Sequence, residues 1–398
     1  MNSFLFISNI IPGDDIRPEI NLQKATYLAQ IGIVDALSHQ TENLTVLAYP
    51  QYLSYSQSHI FWRKGFNRKE NNYRIVQIST LNMPFLRIII RNALFLINII
   101  KWCWENKGID KHIIQYNVSS PSLFVTLVGH LFKKTDISAF LYDLGMPPSS
   151  YKMSKLRKFS YRLIDWQAKL LIDKLDYTFV INNNISKDYA PHTQSLLIDG
   201  GLSSDVLSNL PLKDNRDRNK IVLLIAGNLT ETNGIRLLLG TVPYVDQQNV
   251  EFWFAGKGDL VDEIKSCSIR DNRIVYKGFF SSTKEMFELY SQCDILLNLR
   301  VMPKDEGKYL FPSKLLEYLA TGRRVITTNI LHVTEVYGDY CDILQNNDEK
   351  SLSHLIMKII IEPMRETKGS NAQKYMLESH TWEMQVKRIL VTLTDKNR

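Results

Sequence analysis

Short apolar runs alternate along the chain with longer stretches whose apolar residues recur at helical spacing. In the second half the runs 221–226 (IVLLIA), 250–255 (VEFWFA), 273–276, 294–299 (DILLNL) and 324–327 read as strands, the longest of them apolar enough to be buried on both faces. The stretches between them, 234–245, 260–267, 282–293 and 313–321, read as helices. The first half alternates in the same way, with strands near 3–10, 44–49, 74–79, 112–116, 137–142 and 177–181. Elements of these lengths predict βαβ units on parallel sheets. Between the halves, 203–219 is polar, holds Pro211 and a run of charges, and reads as a linker. The expected architecture is α/β, with two doubly wound Rossmann-like domains.

Composition changes this picture where it is uneven. The 398 residues hold 48 Lys and Arg against 41 Asp and Glu. Residues 201–398 are balanced at 26 each, whereas 61–175 hold 19 basic against 7 acidic. So local an excess implies an acidic partner: membrane lipid, a phosphorylated substrate or nucleic acid. No basic motif interleaved with aromatics accompanies it, so nucleic acid is set aside. The 4 cysteines lie far apart with no CxxC pair, and the 8 histidines show no HxxxH or HExxH spacing. Neither a metal site nor a disulfide scaffold is supported, and the pattern suits a reducing cytoplasm. Residues 1–11 lack the basic start of a signal peptide. The most apolar stretch, 85–104, is interrupted by Arg87, Arg91, Asn92, Asn98 and Lys101, which argues against a spanning helix.

Chemistry concentrates in 306–326. Pro312 and Ser313 suit a helix start and Gly322 suits its stop. Backbone N–H groups at such a start can hold a phosphate. Glu317, one turn inside, can accept two hydrogen bonds from a vicinal diol such as a ribose. Taken alone, the segment is explained more simply as an ordinary capped helix with a surface glutamate.

The residues around it favour the phosphate site instead. Residues 311–326 (FPSKLLEYLATGRRVI) resemble the donor-binding segment of the family-four retaining glycosyltransferases, the glycosyl transferases group 1 type with the GT-B fold. Four further matches follow the family's order. They are Ala226-Gly227-Asn228-Leu229 with Asn233-Gly234-Ile235, the second glycine turn at 254–260 (FAGKGDL), 274–278 with 289–297, and Thr381-Trp382-Glu383. The resemblance implies two Rossmann-like domains facing a cleft, 1–205 for the acceptor and 206–379 for a nucleotide-sugar, with a helix at 380–398 returning to the first. It implies retention, no cofactor and no metal, the donor diphosphate being met by helix ends and side chains.

The chain departs from the family at informative places. Asn228 and Asn233 stand where the family usually has Arg and Lys, and Tyr309 stands where the first glutamate of E-x7-E would be; Glu317 keeps the second, and Glu306 is out of register. Asparagine donates hydrogen bonds to phosphate but cannot neutralise it. Arg300, Lys304, Lys308 and Lys314 surround the loop and can supply the charge, although each alone reads as a solvated surface cation. The candidate donor residues are therefore Gly13, Gly227, Asn228, Asn233, Gly256, Arg300, Lys308, Pro312, Ser313, Lys314 and Glu317. On the acceptor side Asp143, ending the strand at 137–142, is the candidate catalytic residue, with Tyr142 in place of a common His; a turn-forming Asp is the competing reading. Asp199-Gly200-Gly201-Leu202 resembles the family's turn closing the N-domain, or is simply a structural turn.

Two helical stretches carry a further signal. In 85–105, Arg87, Arg91, Asn98, Lys101 and Glu105 fall within a stripe of about 80°, and nearly everything else is apolar. In 149–176, Lys155, Lys158, Arg162, Asp165, Lys169 and Asp173 line one face. An anionic membrane surface is one reading and a solvated face the other. The leading expectation is a glycosyltransferase moving a sugar to a saccharide acceptor, lipid-linked, at the inner face of the cell membrane, in polysaccharide or glycoconjugate assembly. The alternative is an inactive glycosyltransferase-like partner subunit that binds sugar or a second transferase.

Overall fold

The computed structural model describes residues 2–11, 24–49, 52–53, 55–70, 72–83, 86–118, 120–142, 154–210, 212–301, 308–362 and 365–395. The chain divides into two compact units, Met1–Gly201 with Trp382–Arg398, and Leu202–Thr381. Among the described residues, no helix is long and apolar enough to cross a membrane.

Unit 1 runs β1 (Asn2–Ser8), α1 (Lys24–Gln40), β2 (Leu44–Ala48), α2 (Tyr55–Ser58), β3 (Trp62–Arg63), β4 (Phe66–Lys69), β5 (Tyr73–Gln77), β6 (Thr80–Leu81) and α3 (Leu86–Glu105). It continues through β7 (Asp110–Tyr116), α4 (Ser120–Leu127), β8 (Thr135–Leu141), α5 (Lys155–Ile172), β9 (Tyr177–Val180), α6 (Asn183–Tyr189) and β10 (Gln194–Leu197). The main sheet has the order β10-β9-β8-β7-β1-β2-β5-β4, parallel except for the edge pair β4–β5. The two-residue strands β3 and β6 pair separately. Short, charged β4 escaped the sequence pattern because an edge strand needs no apolar run. Phe4, Phe6, Val46, Ile114, Phe140 and Phe179 pack the core. At the carboxyl end of β8, the Tyr142 hydroxyl donates to the Ile198 carbonyl (2.6 Å) and burial holds its pKa well above the usual value. Tyr142 therefore serves as a strut between strands. The expected site residues Gly13 and Asp143 lie outside the described residues, as do Lys304 and Glu306.

Unit 2 runs α7 (Ser204–Ser208), β11 (Ile221–Asn228), α8 (Ile235–Thr241), β12 (Val250–Lys257), α9 (Val261–Arg270), β13 (Ile274–Gly278), α10 (Thr283–Ser291) and β14 (Ile295–Asn298). After these come α11 (Lys314–Ala320), β15 (Arg324–Thr328), α12 (Leu331–Tyr337), β16 (Asp342–Leu344), α13 (Glu349–Ile361) and α14 (Arg365–Ser379). Its sheet, β13-β12-β11-β14-β15-β16, is parallel throughout. The closing helix α15 (Trp382–Thr394) belongs to unit 1. There the Trp382 indole packs so closely on α1 that a Cβ on Gly32 would stand 2.0 Å from it.

Two expectations need correction. The stretch 203–219 is not a linker. Ser203 caps α7, Asn215 donates to Ser291 Oγ (2.9 Å), and Arg216 pairs with Asp294 (3.5 Å), all within unit 2. Its charge run looked solvated in sequence because its partners lie about 80 residues further on. The helix expected over 234–245 ends at Thr241 and passes into a 3-10 turn, Val242–Tyr244, where Pro243 cannot donate to the helical ladder.

Candidate active site

In an open parallel sheet, ligands bind beyond the carboxyl ends of the strands. In unit 2 that edge begins with two glycines in register, Gly227 and Gly256, each the last residue but one of its strand, β11 and β12. Both have positive φ, 132° and 138°. A Cβ on Gly256 would stand 1.9 Å from the Gly227 carbonyl oxygen, so the two strand ends meet only as glycines. Above Gly227 lies the side chain of Lys314: a Cβ built there would be 3.7 Å from the lysine Nζ. The first residue of α11 thus brings its ammonium to the turn after β11.

The two asparagines are neighbours in space. Asn233, at the end of a 3-10 turn, donates from Nδ2 to the Asn228 carbonyl. Its Oδ1 accepts from Arg300 Nη1. Gly234 follows in the left-handed region at φ 74°, where a Cβ would be 2.5 Å from that of Leu299. Arg300 is held from its backbone as well, its N–H donating to Thr328 Oγ1 (3.0 Å). Burial pulls the Arg300 pKa down, and Tyr318 partly offsets that. The group stays a cation, since a guanidinium starts above pH 12. No carboxylate pairs with Arg300 among the described residues, and its Nε finds no hydrogen-bond partner there. An incompletely compensated, half-buried cation at a ligand edge is what an incoming anion would neutralise.

The segment 308–317 completes this edge. Lys308 is exposed, with Nζ 5.5 Å from the Tyr309 ring. Pro312 is buried and its carbonyl accepts from Leu315 N–H (2.8 Å), while Ser313 is exposed with helical dihedrals and no side-chain capping bond. The expected capped start is therefore a tight turn, because Ser313 is already helical in conformation. Glu317 is half-buried one turn into α11. Its neighbour Tyr318 was not singled out in the sequence, yet it aligns the helix. The Tyr318 hydroxyl accepts from Ala226 N–H (3.2 Å), stands 3.3 Å from the Ala226 carbonyl, and packs edge-on to Tyr290 at 5.5 Å. Burial holds its pKa far above the usual range, so it stays a neutral donor. The available signal was a tyrosine at an otherwise apolar helix position, where a buried hydroxyl requires a partner. Gly227, Asn228, Asn233, Arg300 and Lys314 thus surround the end of β11, with Gly256 beside them and Pro312, Ser313 and Glu317 on the α11 side.

Two α/β units with these sheets, one carrying paired glycine turns and a polar, cationic carboxyl edge, define the GT-B class of glycosyltransferase folds. Residues 220–361, most of unit 2, match the family Glycosyl transferases group 1. Over nearly its whole length the chain is similar to solved structures of the same fold. Anabaena Alr3699/HepE in complex with UDP shares 16% identity over 98% of this chain and 99% of that one, TM-score 0.62. Sucrose-phosphate synthase from Thermosynechococcus elongatus shares 13% identity over 98% of both chains, TM-score 0.64. A glycosyltransferase from Rickettsia africae shares 12% identity over 100% of both, TM-score 0.64. No curated protein matches the chain.

Proposed function

We propose that the protein is a retaining, metal-independent glycosyltransferase that takes a nucleotide-sugar on unit 2 and passes the sugar to a saccharide acceptor on unit 1. The observation that carries this reading is the Arg300 guanidinium, held at the carboxyl edge by an asparagine and, among the described residues, by no carboxylate, with Lys314 over Gly227 at the same edge. Bond cleavage leaves a nucleoside diphosphate and develops positive charge at the sugar carbon. Cations and N–H groups fixed beforehand around the phosphates stabilise that leaving group. Arg300, Lys314 and Lys308 take this role in place of the cations missing at 228 and 233, and Glu317 accepts from a diol of the donor. Asp143 is the acceptor-side candidate. The Anabaena relative was solved with UDP and with UDP-glucose, which makes uridine donors the first to try. The basic excess in 61–175 favours an acceptor that is lipid-linked and presented at the cytoplasmic face of a membrane, as surface polysaccharide assembly requires.

The test is titration calorimetry with uridine, guanosine and adenosine diphosphates, followed by nucleotide release from the matching sugar donors with and without EDTA. Binding without release, over a range of acceptors, would favour the second reading, a non-catalytic partner subunit. That reading is motivated by Asn233, both of whose polar ends are already engaged by Asn228 and Arg300. Absence of any nucleotide binding would remove both.

A further inference from the structure

The outer surface of one helix layer in unit 1 carries large apolar side chains, beside charged rows for which a membrane-facing and a solvated reading were both open. On α5, Phe159, Leu163, Trp166 and Leu170 are spaced four, three and four residues apart and are 65%, 43%, 57% and 50% exposed. At about 100° per residue they form one stripe roughly 60° wide. On the opposite side of the same helix Ala168 and Ile172 are buried. A helix apolar on two faces is ordinarily covered on both. The charged row read from the sequence runs along one flank of this stripe, where Arg162 is exposed and Lys169 is half-exposed and paired with Asp165 (3.3 Å).

A second helix of the layer, on the other side of α4, repeats the pattern. On α3, Leu86, Ile89, Ile97 and Trp104 are exposed and share one face, while Phe95, Ile99 and Trp102 are buried. The crossovers into β7, β8 and β9 advance in one direction along the sheet. Right-handed connections therefore put α3, α4 and α5 on the same side of it. Leu131, after α4, is also exposed, and Trp104 meets the neighbouring Phe132 at 6.4 Å. Two helices in one layer thus both present large apolar side chains outward, more than a monomer's surface ordinarily leaves bare.

We propose that this layer docks on an anionic lipid bilayer, with Phe159, Leu163, Trp166 and Leu170 entering the interface and the basic flank meeting the headgroups. This deepens the reading of a lipid-presented acceptor and rests on it. Charge decides the occupant. The layer lies within 61–175, which carries 19 basic against 7 acidic residues. A two-fold interface with a second copy would set that excess against itself, whereas anionic headgroups complement it. Tryptophan suits the boundary between headgroup and acyl chain.

Flotation of the full chain with phosphatidylcholine vesicles, with and without phosphatidylglycerol, tests the proposal. Binding is expected to be strong with anionic vesicles and to weaken when salt rises from about 0.1 M to about 1 M, which shortens the screening length from about 10 Å to about 3 Å. The double variant F159S/L163S should lose binding about tenfold or more on anionic vesicles, since it removes buried apolar area. The charge reversal R162E should weaken binding at low salt only. Both variants should melt as the wild type does and bind nucleotide equally well. Failure of the wild type to float, or flotation of F159S/L163S at the wild-type level, overturns the proposal. So does sedimentation of the wild type as a dimer that F159S/L163S converts to monomer without any vesicle binding. Nucleotide titration needs no vesicles, so loss of the transferase reading would show as absent donor binding in a protein that still floats.

Discussion

The sheet of unit 2 has arginines at both edges, and they are treated in opposite ways. At the amino edge Arg324, the first residue of β15, is buried with two of its nitrogens on carboxylates: Nη2 donates to Asp342 Oδ1 at 3.0 Å and Glu362 Oε2 at 2.8 Å, and Nε also donates to Asp342. Burial works against its charge, but these partners outweigh it and hold its pKa above the ordinary value. Arg216 likewise has Asp214 and Asp294. At the carboxyl edge Arg300 has an asparagine and no carboxylate among the described residues, and its pKa is pulled down. A buried charge that has been satisfied within the fold is part of its structure. One left unsatisfied at the end of a strand, where ligands bind, retains field for something else.

The comparison breaks most visibly at the amino edge. Asp342→Ala would take from buried Arg324 the carboxylate that accepts from both its Nε and its Nη2, and breaking a buried pair costs roughly 3–5 kcal/mol, here at the lower end because Glu362 persists. Urea denaturation should show that loss, while nucleotide affinity of the folded protein stays at the wild-type level. At the carboxyl edge the pattern should reverse. Arg300→Ala is expected to cost about 1.5–3 kcal/mol of donor affinity, the worth of hydrogen bonds to a charged group, with a stability change well below that of Asp342→Ala. If Arg300→Ala destabilises the protein as much as Asp342→Ala and leaves donor affinity intact, the distinction between the edges fails.

A subtler substitution converts one kind of edge into the other. Asn233→Asp keeps the shape of the side chain already bonded to Arg300 but gives that cation a carboxylate. Donor affinity should fall by about 1–2 kcal/mol, since the diphosphate would then compete with an internal anion; stability should change little, the new ion pair being offset by loss of the Nδ2 bond to the Asn228 carbonyl. Glu317→Ala should cost a similar 1.5 kcal/mol or so if the half-buried carboxylate accepts from the donor, the fold being left intact. Unchanged affinity in calorimetry would remove Glu317 from the site.

The strands were legible because parallel strands buried on both faces leave continuous apolar runs, and the expected 221–226 and 250–255 are extended by only two residues each, to the glycine turns. The glycine motifs and Lys314 were read as members of an ordered set of motifs, and Arg300 only as one of four cations around the loop, each of which alone reads as a solvated charge. Three features were hidden for physical reasons. The role of 213–216 depends on partners at Asp294 and Arg323, distant in sequence. Tyr318 looked like one more apolar helix residue. On α5 the charges drew attention to one face, and Phe159, Leu163, Trp166 and Leu170 were not singled out; a periodicity gives the width of an apolar face but not which side the sheet occupies.

The smallest expected effect concerns acid. The Arg216 side-chain hydrogen bond holds the Asp214 carboxyl pKa well below the usual carboxylate value; burial opposes it, and the charges of Arg216 and Arg218 add to it. A carboxylate whose folded pKa is depressed stabilises the fold fully above its unfolded value of about 3.9, and that contribution disappears as pH falls through the folded value. Asp214 is 40% exposed, so solvent screening limits its contribution to about 1 kcal/mol or less. Asp214→Asn should therefore lower stability near pH 6 by up to that amount, and the gap to the wild type should narrow progressively below about pH 5. Donor affinity near pH 6 should be the same in both proteins, since Asp214 sits with Arg216 and Asp294 at the edge opposite Arg300. Urea midpoints for the two proteins at about pH 6 and about pH 3 measure the gap directly. An equal gap at both pH values would mean that Asp214 acts through neutral hydrogen bonds alone, and the amino edge would then owe its stability to shape rather than to paired charge.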